Sequence, residues 1–352
     1  MRIKVVGAGL IGTSLALALK ASGHQILCFD KDPNAQSLAR ELVGTRELDG
    51  SPELIIVATP IPSILPTLLA EFESNPEAMF MDIGGLKSNL LHNIEEFPDI
   101  SHRFISLHPM AGREISGAKS ARADLFDGRA VLITPTSESA DEVLTLAKQL
   151  VKEIGAQGYL LAPNEHDRVI ALVSHLPQAV ASVLGATLAN RDPSELAFAG
   201  GGLRDTSRLA SSDSKLWREL LMENSAQFIS VARDYLANFN ALIERVEASD
   251  GEGIEAILSQ GRAGREAIPG KHGGKSREYT YLPIVIDDKP GQLAKIFEEC
   301  ARANVNVEDL TIEHSPGQEK GLVTLALSSS DAVNLNKHLL ETSWRVQAPY
   351  TH

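Results

Sequence analysis

The first twelve residues constrain the fold more than any other stretch of the chain. A β-branched run, RIKVV, leads into GAGLIG, whose glycines are Gly7, Gly9 and Gly12. Gly7 permits a tight turn, the missing side chain at Gly9 lets a pyrophosphate approach the main chain, and Gly12 allows close helix-to-strand packing. This pattern predicts a strand, a turn and a helix over residues 10–22, with phosphate bound at the helix N-terminus.

Further strands are predicted at residues 25–29, 53–58, 79–83, 104–107, 130–134 and 157–161. Continuous apolar runs such as ELIIVA are typical of a buried parallel sheet, and doubly wound sheets bind ligands at the carboxyl ends of their strands. The segment between residues 30 and 53 is short for a helix, a strand and a second helix, so this half of the fold is expected to be trimmed. The prediction is a Rossmann-type α/β domain over residues 1–162.

The residue that ends the second predicted strand indicates which dinucleotide binds. Asp30 lies at about the offset expected for the acid that binds the ribose hydroxyls, and its carboxylate would repel a 2′-phosphate. NAD is therefore favoured over NADP, although Lys31 follows directly and Asp30 could instead cap the helix ahead of Pro33. The predicted cofactor-binding residues are Gly7, Gly9, Leu10, Ile11, Gly12, Asp30, Thr59, Pro60 and Gly84.

The rest of the chain divides by its periodicity. Residues 163–270 predict an all-helical domain, with helices at residues 164–188, 193–198, 215–246 and 253–267, which would cover the cofactor and form a homodimer. Residues 271–278 are glycine-rich and basic and predict a linker. Residues 279–352 predict the strand and helix order βαββαβ of a ferredoxin-like domain.

Composition excludes several classes of protein. The formal net charge of −13 argues against a nucleic-acid surface. The apolar stretch over residues 54–70 is interrupted by Pro60, Pro62 and Pro66, so no membrane span is predicted, and no secretory signal opens the chain. The two cysteines, Cys28 and Cys300, predict no disulfide framework and favour a cytoplasmic location.

Two stretches carry residues suited to chemistry. His108, in LHPMAGRE, follows a predicted strand, where an imidazole would lie above a nicotinamide; a capped turn or a core histidine is the alternative. Arg208 ends GGGLRDTSR, and its glycines predict a loop that approaches a ligand closely, although a surface ion pair is the commoner fate of arginine. The ten histidines include no HxxxH or HExxH spacing, so no metal site is predicted.

Taken in order, the motifs GAGLIG, VATP, DIGGLKS, HPMAGRE, SHLPQ, GGGLRDTSR and KLWRE resemble the prephenate dehydrogenases, and DKPGQLAKIFEECARANVNVEDL resembles an ACT domain. The resemblance covers almost the whole chain. It implies NAD-dependent oxidative decarboxylation of prephenate to 4-hydroxyphenylpyruvate in tyrosine synthesis. His108 matches the family's catalytic histidine. The substrate-binding residues that the resemblance implies are Arg208, His175, Gln178, Glu114, Asp205, Gly202 and Trp217, and Ser88 is a further candidate; a core or dimer-interface aromatic is the alternative for Trp217.

Two positions depart from the family pattern. Gly85 stands where the family usually has a serine that helps to hold the substrate's 4-hydroxyl, and Gln178 stands where a second histidine is frequent. Ser88 could replace the missing hydroxyl after a small loop shift, or a water molecule could fill the space. The absence of the serine leaves His108 with less help.

The ACT resemblance implies control by a small amino acid, tyrosine or phenylalanine, bound between paired domains. The positions implied are Asp288, Pro290, Gly291, Gln292 and Asn306, and dimerisation without a ligand is the alternative. Three other functions remain open at this point: arogenate dehydrogenase, a catalytically silent amino-acid sensor, and a hydroxyacid dehydrogenase of similar layout. The last class commonly relies on a lysine in the helical domain and gives no reason for the tail.

Overall fold

The computed structural model describes residues 1–111, 117–268, 279–314 and 319–351. They divide into two units, Met1–Asn190 with Thr206–Phe239 and Arg191–Asp205 with Asn240–His352. The unit boundaries do not fall at residues 162 and 270, so the division into three domains stays a prediction. The predicted linker, residues 271–278, lies outside the described residues.

A seven-stranded sheet forms the centre of the first unit. Its strands are β1 (Arg2–Val6), β2 (Gln25–Phe29), β3 (Leu54–Val57), β4 (Met79–Asp82), β5 (Phe104–Pro109), β6 (Ala130–Pro135) and β7 (Gln157–Leu160). The strand order is β2-β1-β3-β4-β5-β6-β7, and neighbours are parallel except for the antiparallel pair β5 and β6. The strand order reverses at β1, which places a crevice at the carboxyl ends of β1 and β3. The predicted Rossmann-type sheet is confirmed. A single helix, residues 33–43, connects β2 to β3, so the first half of the fold is shortened as predicted.

Alternation along the strands sorts side chains between two apolar layers. Ile3 and Val5 belong to one core cluster, whereas Val6 belongs to the other. Strand β3 alternates in the same way, and all four of its residues are buried. Because successive side chains of a strand point to opposite faces, an uninterrupted apolar run must be covered on both sides. The covering helices are α1 (Leu10–Ala21), α2 (Pro33–Val43), α3 (Ile61–Ser74), α4 (Ser88–Glu95), α5 (Pro98–Ser101) and α6 (Asp141–Glu153).

Helices dominate the chain after β7. They are α7 (Pro163–Ile170), α8 (Leu176–Leu188), α9 (Pro193–Leu196), α10 (Gly201–Ser207), α11 (Ser214–Glu223), α12 (Ser225–Glu247) and α13 (Gly251–Glu266). The predicted single helix over residues 215–246 is two helices, α11 and α12. The predicted glycine-rich loop is also wrong, because residues 201–207 form α10. Glycine costs about 1 kcal/mol in a helix relative to alanine, and only Gly201 and Gly202 of this helix are glycines, both in its first turn.

A π-helical segment, Ala171–His175, joins α7 to α8. Pro177 lies near the start of α8, and a proline ring clashes with the carbonyl four residues earlier in an α-helix. The wider π turn relieves that clash and lets the helix continue. Among the described residues, Pro163–Leu188 is the one helix long and apolar enough to cross a membrane by length and composition. That criterion is weak for a single helix, and this one contributes buried polar side chains to the site described below.

The C-terminal residues build a second sheet. Its elements are β8 (Thr280–Asp287), α14 (Gln292–Arg302), β9 (Asp309–His314), β10 (Lys320–Leu327), α15 (Ser329–Glu341) and β11 (Arg345–Val346). The four strands are antiparallel in the order β11-β8-β10-β9. This is the predicted ferredoxin-like arrangement, with its own apolar core between sheet and helices. The strand predicted from residue 305 begins only at Asp309.

Candidate active site

Two positions of the turn between β1 and α1 have room only for glycine. Gly7 has a φ of +109°, and a Cβ atom there would collide with the carbonyl oxygen of Ala58. A Cβ atom at Gly12 would collide with the carbonyl oxygen of Gly7. In contrast, the Cβ position of Gly9 has no described atom within 4 Å. The turn is therefore packed tightly against the sheet and open where a phosphate would approach.

The surroundings of this turn fit NAD. Asp30 Oδ2 accepts a hydrogen bond from Ala8 N at 2.7 Å, and its other oxygen accepts one from Asp32 N at 2.9 Å. Asp30 is thus fixed beside the turn, where a ribose would lie. No side chain of the described residues caps α1, which leaves its N-terminus for an anion. Thr59 Oγ1, at the carboxyl end of β3, is buried without a hydrogen-bond partner among the described residues, as expected of an atom that binds a ligand.

His108 lies on the same edge of the sheet and belongs to a chain of three side chains. Its Nδ1 atom lies 3.0 Å from Nε2 of His166, and Nδ1 of His166 lies 2.7 Å from Oδ1 of Asp167. His166 is fully buried and Asp167 is 5% exposed. Both come from α7, so the first turns of the helical region pack directly on the sheet edge that carries His108.

Hydrogen-bond logic fixes the tautomers along this chain. A carboxylate only accepts, so Nδ1 of His166 donates to Asp167 and Nε2 of His166 must then accept from Nδ1 of His108. That arrangement leaves Nε2 of His108 without a proton. Burial, together with the positive charge of Lys87, holds the pKa of His108 well below its usual value, so the ring stays neutral. His108 is therefore a proton acceptor at Nε2.

Asp167 is itself held in place as an anion. Its Oδ1 atom accepts from Lys87 N at 3.0 Å, and its Oδ2 atom accepts from Ser88 N at 2.9 Å. Burial raises the pKa of Asp167, but the hydrogen bonds from His166, Ser88 and Lys87 outweigh burial and hold the pKa below its usual value. A carboxylate with this many donors fixes the position and the tautomer of the ring that it binds.

A second buried cluster lies behind His108. Lys87 and Asp82 are both fully buried, and Lys87 Nζ donates to Asp82 Oδ2 at 3.0 Å. Lys87 Nζ also donates to the carbonyl oxygen of Leu107 at 2.8 Å. Asp82 accepts further hydrogen bonds from Gly84 N at 2.6 Å and from the hydroxyl of Ser106. The DIGGLKS turn, which contains the predicted cofactor residue Gly84, is thereby tied to β5 at the residue before His108.

The space in front of His108 is bounded by Gly85. A Cβ atom built on Gly85 would lie 3.8 Å from His108 Nε2 and 3.5 Å from Leu220 Cδ2. A side chain at position 85 would therefore contact the unprotonated nitrogen. A serine, which the resembled family usually has at this position, would direct its hydroxyl towards that atom, and glycine leaves the space open.

A polar wall continues from His166 to His175. Asn224 Nδ2 donates to the carbonyl oxygen of Asp167 at 2.9 Å and lies 3.4 Å from His175 Nδ1. Burial lowers the pKa of His175 to about 4. The ring of Trp217 meets the ring of His175 edge-on, with centroids 5.8 Å apart.

The predicted substrate residues are placed around this wall to different degrees. Gln178 Nε2 donates to Leu209 O at 2.8 Å, which fixes the residue after Arg208 to helix α8. Arg208 itself is exposed, at the start of a 3-10 turn. Gly202 and Asp205 belong to the second unit, and a Cβ at Gly202 has no described atom within 4 Å, so the predicted approach of a ligand to this glycine stays a prediction. Glu114 lies outside the described residues.

Ser88 is placed against Asp167 rather than beside His108. Its main-chain N–H donates to Asp167 Oδ2 at 2.9 Å. The structure therefore gives Ser88 a role in holding Asp167, and its predicted contact with the substrate remains a prediction. The predicted cofactor contacts of Leu10, Ile11 and Pro60 also remain predictions. Leu10 and Ile11 begin α1, and Pro60 directly precedes α3.

Sequence reasoning missed four of the buried polar residues: His166, Asp167, Asn224 and Lys87. His166 and Asp167 lie at the start of the helix predicted from residue 164, and both are buried. A usable signal was present, because a histidine and an aspartate in a helix otherwise rich in apolar residues must be paired when that helix is buried.

The nucleotide turn, Asp30 and a neutral histidine at the carboxyl ends of parallel strands define an NAD-dependent dehydrogenase. Two family models match the chain: prephenate dehydrogenase, nucleotide-binding domain, over residues 15–160, and prephenate dehydrogenase, dimerization domain, over residues 162–260. The chain belongs to the prephenate dehydrogenase family.

Individual relatives agree. The chain is 28% identical to the probable prephenate dehydrogenase NovF of Streptomyces niveus, over 97% of this chain and 98% of that protein. It is 26% identical to the prephenate dehydrogenase of Bacillus subtilis, over 94% and 92%. The prephenate dehydrogenase of A. aeolicus, solved with hydroxyphenyl propionate and NAD+, superposes with a TM-score of 0.69 at 28% identity, covering 75% of this chain and 97% of that one. Synechocystis arogenate dehydrogenase gives 0.66 at 28% identity, covering 75% and 99%.

Proposed function

We propose that this enzyme oxidatively decarboxylates prephenate to 4-hydroxyphenylpyruvate with NAD. The observation that carries the proposal is the hydrogen-bonded chain from His108 to Asp167, which leaves an unprotonated imidazole nitrogen at the cofactor edge of the sheet. The family models and the relatives named above support the substrate.

The residues of this chain would divide the reaction as follows. Nε2 of His108 takes the proton of the substrate's 4-hydroxyl, which lets the C4–H bond break with its electron pair. Bound NAD would supply the acceptor for this pair and its hydrogen, which leave together as a hydride. The ring carboxylate then leaves as carbon dioxide, its bonding pair makes the ring aromatic, and the new phenolate takes back the proton from His108. Arg208 would bind a substrate carboxylate through its fork of N–H donors.

The direct test is formation of NADH from prephenate and NAD by the purified full-length chain, with 4-hydroxyphenylpyruvate identified as product. We expect turnover by the wild type and a loss of at least about a hundredfold in kcat for His108→Asn. A matched control is His102→Asn, an exposed histidine near the start of β5. Absence of NADH formation by the wild type with prephenate and with arogenate would leave the silent amino-acid sensor as the better description.

Arogenate is the second candidate substrate, because a structural relative is an arogenate dehydrogenase. Arogenate carries an amino group where prephenate carries a keto group, so the ring chemistry at His108 is the same. The ratio of kcat/KM for the two substrates separates them. A ratio above one for prephenate supports the proposal, and the reverse ratio would reassign the enzyme.

The C-terminal ferredoxin-like unit is proposed to be an ACT domain that binds tyrosine or phenylalanine. Support comes from Gly291, which has a φ of +85° directly before α14 and turns the chain into that helix. Asp288 and Pro290 are exposed at this turn and Gln292 begins the helix, whereas Asn306 is exposed beyond the far end of α14. Calorimetric titration with each amino acid tests binding. We expect Asp288→Asn to weaken it and Asp331→Asn, at the start of α15, to leave it unchanged; no heat from either ligand would leave dimerisation as the role of this unit.

We propose that the protein forms a homodimer through a stripe of exposed apolar residues along α12. Ile229, Leu236 and Phe239 are 45%, 53% and 49% exposed, and their spacing places them on one side of the helix. The matched dimerization-domain model covers this helix. Analytical ultracentrifugation should give twice the chain mass, with Leu236→Lys shifting the protein towards monomer and Asn238→Lys serving as control. A monomeric wild type would contradict the proposal.

A cytoplasmic location is proposed on the two free cysteines. Cys28 and Cys300 are both buried, and burial raises the pKa of each thiol to about 11. Unpaired thiols suit a reducing compartment. Cell fractionation followed by immunoblotting tests the location, and recovery in the membrane or secreted fraction would contradict it.

A further inference from the structure

We propose that Lys87 is a positioning residue for His108: its buried ammonium group holds β5 at the carbonyl that precedes His108, and its positive charge favours the neutral imidazole. The proposal rests on His108 being the proton acceptor of the proposed reaction. Lys87 has no surface exposure, so it can act only through the groups that it touches.

One residue here fixes both ends of the histidine chain. The side chain of Lys87 donates to Leu107 O at 2.8 Å, and its main-chain N–H donates to Asp167 Oδ1 at 3.0 Å. Leu107 O is one residue before His108, and Asp167 is the carboxylate at the far end. A shift of Lys87 would therefore move both Leu107, which precedes His108, and Asp167, which holds His166. The distance of the hydrogen bond between His108 and His166 depends on both positions.

Charge supplies the second part of the argument. Burial lowers the pKa of Lys87, but Asp82, at 3.0 Å, and Asp167 oppose that shift. The titratable groups that face His108 from the elements packed around it are Lys87 from the DIGGLKS turn, and His166, Asp167 and His175 from the helical region. Of the two that carry a charge, Lys87 disfavours a proton on His108, whereas Asp167 favours one.

The alternative is that Lys87 and Asp82 form an ion pair that affects only the folding of the chain. Such buried pairs can frequently be replaced by apolar residues. The two roles differ in what happens to the titration of His108. A structural pair would change the free energy of unfolding alone. A positioning residue whose charge acts on His108 would also change the pH at which His108 takes up a proton.

The test follows the ring nitrogens of His108 by nuclear magnetic resonance in the full-length chain labelled with ¹⁵N-histidine, with His108→Asn assigning the signals. We expect His108 to stay neutral down to the acid limit of folding in the wild type. In Lys87→Met it should titrate at a pH higher by about one unit or more, since loss of a nearby cation favours protonation. Lys87→Met/Asp82→Asn should shift the titration in the same direction, and this variant leaves no unpaired buried charge if the single variant fails to fold.

Ser106→Ala is the matched control. The Ser106 hydroxyl binds the same Asp82 carboxylate and is fully buried, so its loss perturbs the cluster without changing its charge. We expect no shift of the His108 titration in this variant. In each of the two Lys87 variants the acid limb of the kcat/KM profile with prephenate should move upward together with the His108 titration, and kcat should fall at least about tenfold through misplacement.

The outcomes separate this proposal from the proposed function. A shifted His108 titration in a chain that does not turn over prephenate supports the role of Lys87 and overturns the substrate. Turnover of prephenate with no shift of either the titration or the acid limb in both Lys87 variants overturns the role of Lys87. An equal shift in Ser106→Ala would overturn it too, because the effect would then come from the packing of the cluster.

Discussion

The imidazole rings of His108 and His166 are joined through their nitrogens at 3.0 Å, although the two residues are 58 positions apart in the chain. One ring comes from the sheet and the other from the first helix after it. This contact defines the tautomer of His108, with the proton on Nδ1. Several of the following predictions depend on it.

Asp167→Asn should lower kcat by about 10²-fold or more. An asparagine can present an N–H group to Nδ1 of His166, which reverses the direction of donation along the chain and places the proton on Nε2 of His108. The KM for NAD should stay within about twofold. Steady-state kinetics measure both, with Asp213→Asn, which replaces the carboxylate capping α11, as control. Wild-type kcat in a folded Asp167→Asn variant would contradict the assigned tautomers.

Gly85→Ser should raise kcat/KM for prephenate roughly twofold to tenfold, the range expected for one added hydrogen bond. The Cβ position lies 3.8 Å from His108 Nε2, so a serine hydroxyl can reach that nitrogen and the substrate's 4-hydroxyl. Gly85→Ala adds the same bulk without the hydroxyl and should give no gain. If both variants lose activity equally, the open space at Gly85 is itself required for substrate entry.

The free energy of unfolding should fall as the pH drops from about 6.5 towards 4. Burial lowers the pKa of His175 to about 4 in the folded chain, so between these values the unfolded chain binds more protons and folding loses stability. The contribution of His175 is up to about 3 kcal/mol. His175→Asn keeps an acceptor for Asn224 and should flatten the dependence, whereas exposed His92→Asn should not. Urea unfolding at several pH values measures it, and equal slopes for all three proteins would count against a buried neutral His175.

Asp30→Ser should raise the KM for NAD about tenfold and lower that for NADP, because it removes a charge that repels a 2′-phosphate while keeping an acceptor for Ala8 N. Asp32→Asn is the control, since Asp32 caps α2 by accepting from Asn34 N at 2.9 Å and an asparagine retains that cap. Kinetics with both cofactors decide the matter. Unchanged KM values in Asp30→Ser would show that this carboxylate serves only to hold the glycine turn.

The strands of the Rossmann-type sheet were predicted within one or two residues, because apolar runs and the alternation between faces are local properties. Strand β3 illustrates this, with ELIIVA predicted and Leu54–Val57 found. The glycine-rich segment before Arg208 was wrongly predicted to be a loop, because its structure depends on more than the local sequence. Glycine indicates conformational freedom, and helix α10 forms although two glycines lie in its first turn. Propensity is a weak prior that neighbouring residues can override.

Only the part of the site that depends on local sequence was predicted. His108 was placed at a strand end from its neighbours in sequence, and Asp30 was placed from its distance to the glycines. The partners of His108 could not be found in that way. His166, Asp167 and Lys87 come from two separate segments, and their pairing depends on how α7 and the DIGGLKS turn pack on β5.

The amino-acid sequence by itself determined the order of strands and helices, the glycine turn and its acid, and the ferredoxin-like tail, because steric limits on glycine and the period of apolar residues act between residues close in the chain. Only the tertiary structure decided which nitrogen of His108 is free and which buried cation lies behind it. Those properties depend on burial and on hydrogen bonds between distant segments, and they exist only once the segments have packed together.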